Sequence, residues 1–133
     1  MLAKFFNPPT LCKTTGWTHV VTTSGGKTIH ISGQTAIDAA GNVVGKGDLK
    51  RQTEQTFENL RLALEAAGAT WQDVIATRLY VVNLKPEDVP IIREVRSRYV
   101  SAEYPPASTL VGVAALVGAD WLIEIEATAV VAE

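Results

Sequence analysis

From Trp121 to Val131 the chain alternates without interruption. Trp121, Ile123, Ile125, Ala127, Ala129 and Val131 take one parity, and Leu122, Glu124, Glu126, Thr128 and Val130 take the other. Successive side chains of a strand point to opposite faces, so this run predicts a strand with one wholly apolar face. The second face mixes two carboxylates with Leu122 and Val130, which is too apolar to leave in water. Such a strand belongs inside a sheet whose first side is packed by helices and whose second is covered by something else. Glu124, a carboxylate in the middle of that second face, is therefore the residue to explain.

The rest of the chain supplies the layers. Residues 17–23 and 28–32 are rich in β-branched and aromatic types, and Ser24-Gly25-Gly26 between them predicts a hairpin. In the second run Ile29 and Ile31 share one face, while Thr28, His30 and Ser32 share the other. A helix is expected from a cap at Asp48, with Leu49, Thr53, Phe57, Leu60 and Leu64 along one stripe and Gly68 where the chain leaves it. A strand over 74–82 ends at Asn83-Leu84-Lys85-Pro86, because proline cannot donate to a ladder. A second helix over about 86–99 places Val89, Ile92, Val95 and Tyr99 on one side, with Arg93, Glu94 and Arg96 elsewhere, and Pro90 is tolerated in its first turn. Another strand is expected over 107–114. The order of strands, helix, strand, helix and strands predicts an α+β fold in which two helices cover one sheet face.

The 133 residues suit one domain spanning 1–133, with no internal linker, repeat or low-complexity run. The single Cys12 cannot form an internal disulfide, which fits a reducing compartment and makes a cytoplasmic location the expectation. No stretch approaches the roughly 20 apolar residues of a membrane span. Twelve basic residues against 14 acidic ones, a net charge of −2, provide no surplus of cations to neutralise phosphates, so no nucleic-acid partner is expected. At 47% hydrophobic and 20% charged, the chain is apolar for its size, and burial between subunits would account for that.

Several motifs occur together and in order: Gly16-Trp17-Thr18-His19, Ser32-Gly33-Gln34, Gln55-Thr56-Phe57-Glu58-Asn59-Leu60, Pro106-Ala107, and Ile123-Glu124-Ile125-Glu126-Ala127. Through them the chain, from about residue 8 to 132, resembles the Rid/YjgF family of reactive-intermediate deaminases. The resemblance implies a chorismate-mutase-like protomer with a mixed sheet of about six strands and two helices on one face. It also implies a homotrimer closed around a central β-barrel, with small-molecule pockets between subunits. The implied reaction is hydrolysis of imines or enamines, in which Glu124 positions a water. That chemistry requires a bound electrophile, an oriented water and a group that accepts and returns protons, so no cofactor is expected. Backbone groups around Ser108, Thr109 and Leu110 would hold the substrate. Trp17, where relatives often carry tyrosine, would form a pocket wall, with Ser32, Gly33 and Tyr104 beside it.

In characterised members an arginine follows the proline-alanine pair and grips the substrate carboxylate; here Ser108 stands in that place. A charge-assisted hydrogen bond contributes about 1.5–3 kcal/mol, so the substitution would weaken carboxylate binding roughly ten- to a hundredfold. Three outcomes are open: Arg78, Arg93 or Arg96 reaches the pocket, the substrate lacks a carboxylate, or the pocket binds a small molecule without turnover. The spacing alone favours Glu124 as a carboxylate paired at an interface or solvated on a sheet face, the motif match brings the catalytic reading level with it, and Glu126 is expected to be structural or interfacial. His30 is expected to be packed and hydrogen-bonded, and His19 lies nearer the pocket. Two histidines so placed make a poor metal site, and no metal is expected. Cys12 and the strand hydroxyls lack an evident base for nucleophilic work.

Overall fold

The computed structural model describes residues 2–133, and its centre is the alternating C-terminal strand. This strand, β6 (Ile123–Val131), runs antiparallel between β3 (Lys27–Gln34) and β4 (Val74–Val82). β5 (Ala107–Val113) pairs parallel to β4 and forms the edge, giving the order β3-β6-β4-β5. A parallel neighbour requires a crossover, which is supplied by α2 (Asp88–Ser97). The longer α1 (Leu49–Ala66) packs against α2, β6 and β3.

Both helices lie on the face that carries Ile123, Ile125, Ala127 and Ala129, each of them buried. The core joins these to Phe57, Leu60 and Leu64 of α1, Ile92 and Val95 of α2, and Leu79 and Val81 of β4. Phe57, Trp71 and Tyr99 close one end of it, with ring centroids 5.3–6.1 Å apart.

Two polar side chains of α1 tie the loops to the core. The wholly buried Gln52 donates to the carbonyls of Gly45 (3.2 Å) and Asp120 (2.9 Å), and accepts from the Leu122 N–H (2.9 Å). That bond pins the entrance to β6. Asn59, held by Gln55 at 2.8 Å, donates to the carbonyls of Thr35 and Ile37, both at 2.8 Å. Each such bond contributes about 1 kcal/mol, and a partner left unpaired in the interior would cost more. As expected, Asp48 caps α1, accepting from the Arg51 N–H at 3.0 Å.

The first two expected strands form differently from the predicted hairpin. β2 (Val20–Thr23) begins after Trp17, and it pairs with an N-terminal strand, β1 (Ala3–Phe6), rather than with β3. The edge of β3 is taken by β6 instead, from Lys27 opposite Val131 onwards. The glycine turn reverses the chain, but a local turn signal carries no information about a partner 17 residues upstream. The six strands thus divide into a mixed four-stranded sheet and a two-stranded ribbon. Among the described residues no helix is long and apolar enough to cross a membrane.

Candidate functional site

Glu124 lies on the sheet face away from the helices, opposite Tyr80 in the β6–β4 register, and is half-buried. Two residues along, Glu126 accepts a 2.6 Å hydrogen bond from the Tyr80 hydroxyl. That bond, aided by desolvation, raises the Tyr80 pKa, because the carboxylate favours the protonated phenol. Glu126 is thereby committed to Tyr80. The Glu124 carboxylate makes no hydrogen bond or ion pair among the described residues.

Glu124 is placed by Gly33. The β3–β6 register shifts between Ile31 and Gln34, a bulge that takes Ser32 and Gly33 out of the ladder. The Glu124 carboxylate stands over Gly33, so a Cβ at that position would collide with it. Ser32 is exposed beside it, its carbonyl accepting from Gln34 Nε2 at 3.2 Å. Sequence and structure thus bring Ser32, Gly33 and Glu124 together at one bulge.

Ser108 is elsewhere. It pairs with Thr77 across the β4–β5 ladder, and the Thr77 hydroxyl donates to the Ser108 Oγ at 3.1 Å. Thr77, Leu79, Ser108 and Leu110 share the helix-covered face, the opposite parity to Tyr80 and Glu124. Within one protomer Ser108 and Glu124 therefore lie on opposite faces of the same sheet.

A cavity of about 220 Å³ opens at Ser108, lined by Trp17, Leu79, Leu110 and the α2 residues Val89, Ile92, Arg93 and Arg96. Those four follow the i, i+3, i+4, i+7 spacing of one helix stripe. Of the three candidate arginines for the pocket, Arg93 and Arg96 border this cavity beside Val89 and Ile92, although the helix pattern places them off the Val89–Ile92–Val95–Tyr99 side. The Arg96 guanidinium lies over Gly16, whose φ of +77° and missing Cβ admit it. Burial pushes the Arg96 pKa down, and the like charge of Arg93 adds to the effect.

Trp17 is brought to this cavity by the residue after it. Thr18 is buried; its hydroxyl donates to the Pro105 carbonyl at 2.5 Å and its N–H to that of Pro106 at 3.1 Å. The resulting bridge to Ala107 straps the loop to the start of β5. Trp17 meets His19 edge-on, ring centroids 4.7 Å apart. The His19 Nε2 is 2.7 Å from the Cys12 carbonyl, which can only accept, so in that bond this nitrogen is the donor; the Cys12 thiol is 3.8 Å from the same nitrogen.

Two expected placements change. Tyr104 does not border the Ser108 cavity: it packs on Phe5 at 5.3 Å and lines a separate hollow with Leu2, Ile75 and Val130. His30 is exposed on the uncovered face, without a hydrogen-bond partner among the described residues, because the bulky face of β3 is the one bearing Ile29 and Ile31. Thr109 stays near Ser108: its side chain is exposed on the other side of β5, opposite Arg78, and it borders with Ser108, Arg78, Trp17 and His19 a smaller hollow of about 150 Å³.

Residues 10–131 match the family model described as endoribonuclease L-PSP. A RutC family protein of Pyrococcus abyssi is 39% identical over 78% of this chain and 79% of its own length. The human 2-iminobutanoate/2-iminopropanoate deaminase is 30% identical over 78% of this chain and 73% of its own. Among solved structures, a protein of the conserved Rid family from Yersinia pestis superposes with a TM-score of 0.92 at 41% identity, covering 98% of this chain and all of that one. RidA from an Antarctic Psychrobacter gives a TM-score of 0.70 at 32% identity over 82% and 85% of the two chains.

Proposed function

Since the chain belongs to the Rid/YjgF family, the one whose model bears the description endoribonuclease L-PSP, we propose that it hydrolyses reactive imines and enamines in a pocket between subunits, with Glu124 as the catalytic carboxylate. One observation carries this reading: a half-buried carboxylate without a partner among the described residues, held over a glycine at a strand bulge. A structural carboxylate would be engaged as Glu126 is. Glu124 instead has both oxygens available to orient a water and take its proton.

The reaction then balances simply. Water adds to the carbon of the protonated C=N bond while Glu124 accepts one of its protons, giving a neutral tetrahedral carbinolamine. Glu124 passes that proton to nitrogen and takes the hydroxyl proton as the C–N bond breaks, so that a carbonyl compound and ammonia leave and the last proton departs on ammonia as ammonium. An enamine enters the same path after protonation at carbon. Holding the electrophile against an oriented water supplies most of the acceleration.

The pocket needs two protomers, because Glu124 and the Ser108 cavity lie on opposite sheet faces of each. A homotrimer with its sheets facing a common axis would bring one subunit's Glu124 to the next subunit's Ser108, and would cover a face on which Val111 is 39% exposed. The substrate-binding groups are Trp17, Ser108, Thr109 and Leu110 on one subunit and Ser32 and Gly33 on the other. With a net charge of −2 the chain has no electrostatic basis for nucleic-acid binding, so the nuclease named in the family description is not the activity proposed.

Ammonia release from freshly generated 2-imino acids is the test. Acceleration over buffer that is lost in Glu124→Gln is the expected result. No acceleration across several imines, with ligands raising the melting temperature nonetheless, would make this a binding protein instead.

A further inference from the structure

We propose that Arg93 and Arg96 form an anion subsite over Ser108, which receives the carboxylate end of the substrate and favours substrates carrying two carboxylates. The subsite rests on reading the Ser108 cavity as the substrate pocket and adds the class of molecule that enters it.

The other helix-borne arginines show what these two lack. Arg61 is paired with Glu58 and Glu65, and Arg98 with Glu54 and Glu94. Arg93 and Arg96 are in no ion pair among the described residues, and no carboxylate lines the cavity they share. Two like charges three residues apart on one helix stripe repel, and Arg96 is in addition half-buried. Such an arrangement is unfavourable in the empty pocket and becomes favourable when an anion enters.

Guanidinium geometry suits a carboxylate, which it can meet with two parallel N–H bonds. Gly16 fixes where Arg96 lies, and Trp17 provides a flat wall next to it. The small Ser108 side chain leaves the space open, while Thr77 orients its hydroxyl. One carboxylate would neutralise one of the two cations and leave the other uncompensated; a second carboxylate completes the balance. The structure thus puts the positive charge on α2, at a different place in the same cavity from residue 108.

The experiment is a ¹⁵N NMR titration of the wild-type protein with 2-oxobutanoate, 2-oxoglutarate and butanone, stable probes that resemble a hydrolysis product with one, two or no carboxylates. The Arg96 Nε and Trp17 indole signals are expected to move with both acids, about tenfold more tightly for the dicarboxylate. Arg96→Gln is expected to weaken the acids roughly ten- to a hundredfold, with Arg96→Lys in between. Arg93→Gln, at an exposed position, provides a second variant should Arg96→Gln fail to fold. Equal response to butanone, or affinity unchanged by either glutamine variant, would overturn the subsite, and equal affinity for the two acids would overturn the dicarboxylate preference. Failure of the hydrolytic reading is separable: Arg96-dependent acid binding without imine hydrolysis would leave the subsite standing alone, whereas hydrolysis lost in Glu124→Gln but indifferent to Arg96→Gln would do the reverse.

Discussion

The Glu124 carboxylate occupies the space above Gly33 that any side chain at that position would fill. Gly33 has an ordinary backbone conformation, since it is absent from the positive-φ glycines. Alanine can therefore adopt its φ and ψ, and what has to move is the end of the Glu124 side chain. Gly33→Ala is expected to reduce kcat for imine hydrolysis about a hundredfold through a misplaced carboxylate, with stability changed by no more than about 1 kcal/mol. Parallel measurements of turnover and urea unfolding check both halves; a fully active Gly33→Ala protein would detach Glu124 from the chemistry.

The strap at Thr18 makes a different prediction, one about order. Thr18→Val keeps the shape, removes the donor to the Pro105 carbonyl and leaves that buried oxygen unpaired, at a cost of about 1–3 kcal/mol. Trp17, which lines the Ser108 cavity, should lose its fixed position with it. Urea denaturation reads the first effect, and broadening of the Trp17 indole resonance reads the second.

Thr56 offers the opposite sign. Its hydroxyl is buried without a hydrogen-bond partner among the described residues, in the middle of α1. Valine has the same shape and a similar helix propensity, so Thr56→Val should stabilise the protein by about 1 kcal/mol and raise the melting temperature by several degrees. Calorimetry decides it.

The surface of α1 carries a pH effect. The Glu58 pKa is held below the usual carboxylate value chiefly by its hydrogen bond to Arg61, against some desolvation, with a further bond from Tyr99. A carboxylate depressed in the folded state contributes stability above its unfolded pKa and loses it as pH falls through the folded value. The pair is largely solvent-exposed, so its contribution is small. In Arg61→Gln the Glu58 carboxyl should titrate at higher pH by NMR, and unfolding below about pH 4 should become less steep.

Much of this was legible from the chain, for identifiable reasons. The strict parity of residues 121–131, the Asp48-to-Gly68 helix pattern and the proline stop after β4 are local signals, and the helices and strands form where those signals lie. The pairing of β1 with β2 was not legible, because a four-residue strand such as Ala3–Phe6 has too short a pattern to declare itself. Nor was the division of Glu124 and Ser108 between two faces. Each parity can be read within its own strand, but their relative phase is set by how both register with β4. Arg93 and Arg96, two of the three candidate arginines for the pocket, do line it, on the same i, i+3, i+4, i+7 stripe as Val89 and Ile92. Tyr104 follows Phe5 because of the unforeseen ribbon.

The Glu124 of one subunit works on a substrate held at the Ser108 cavity of another, and complementation between two defective variants tests this directly. Glu124→Gln, which lacks the base, and Arg96→Gln, which binds the acid weakly, are co-expressed and their mixed oligomers assayed for hydrolysis of a 2-imino acid well below KM, where each parent alone is defective. If each site draws on two subunits around a ring, random mixing restores about a quarter of the sites, and activity should return to roughly that fraction of wild type. Mixed oligomers as inactive as their parents would contradict a shared site.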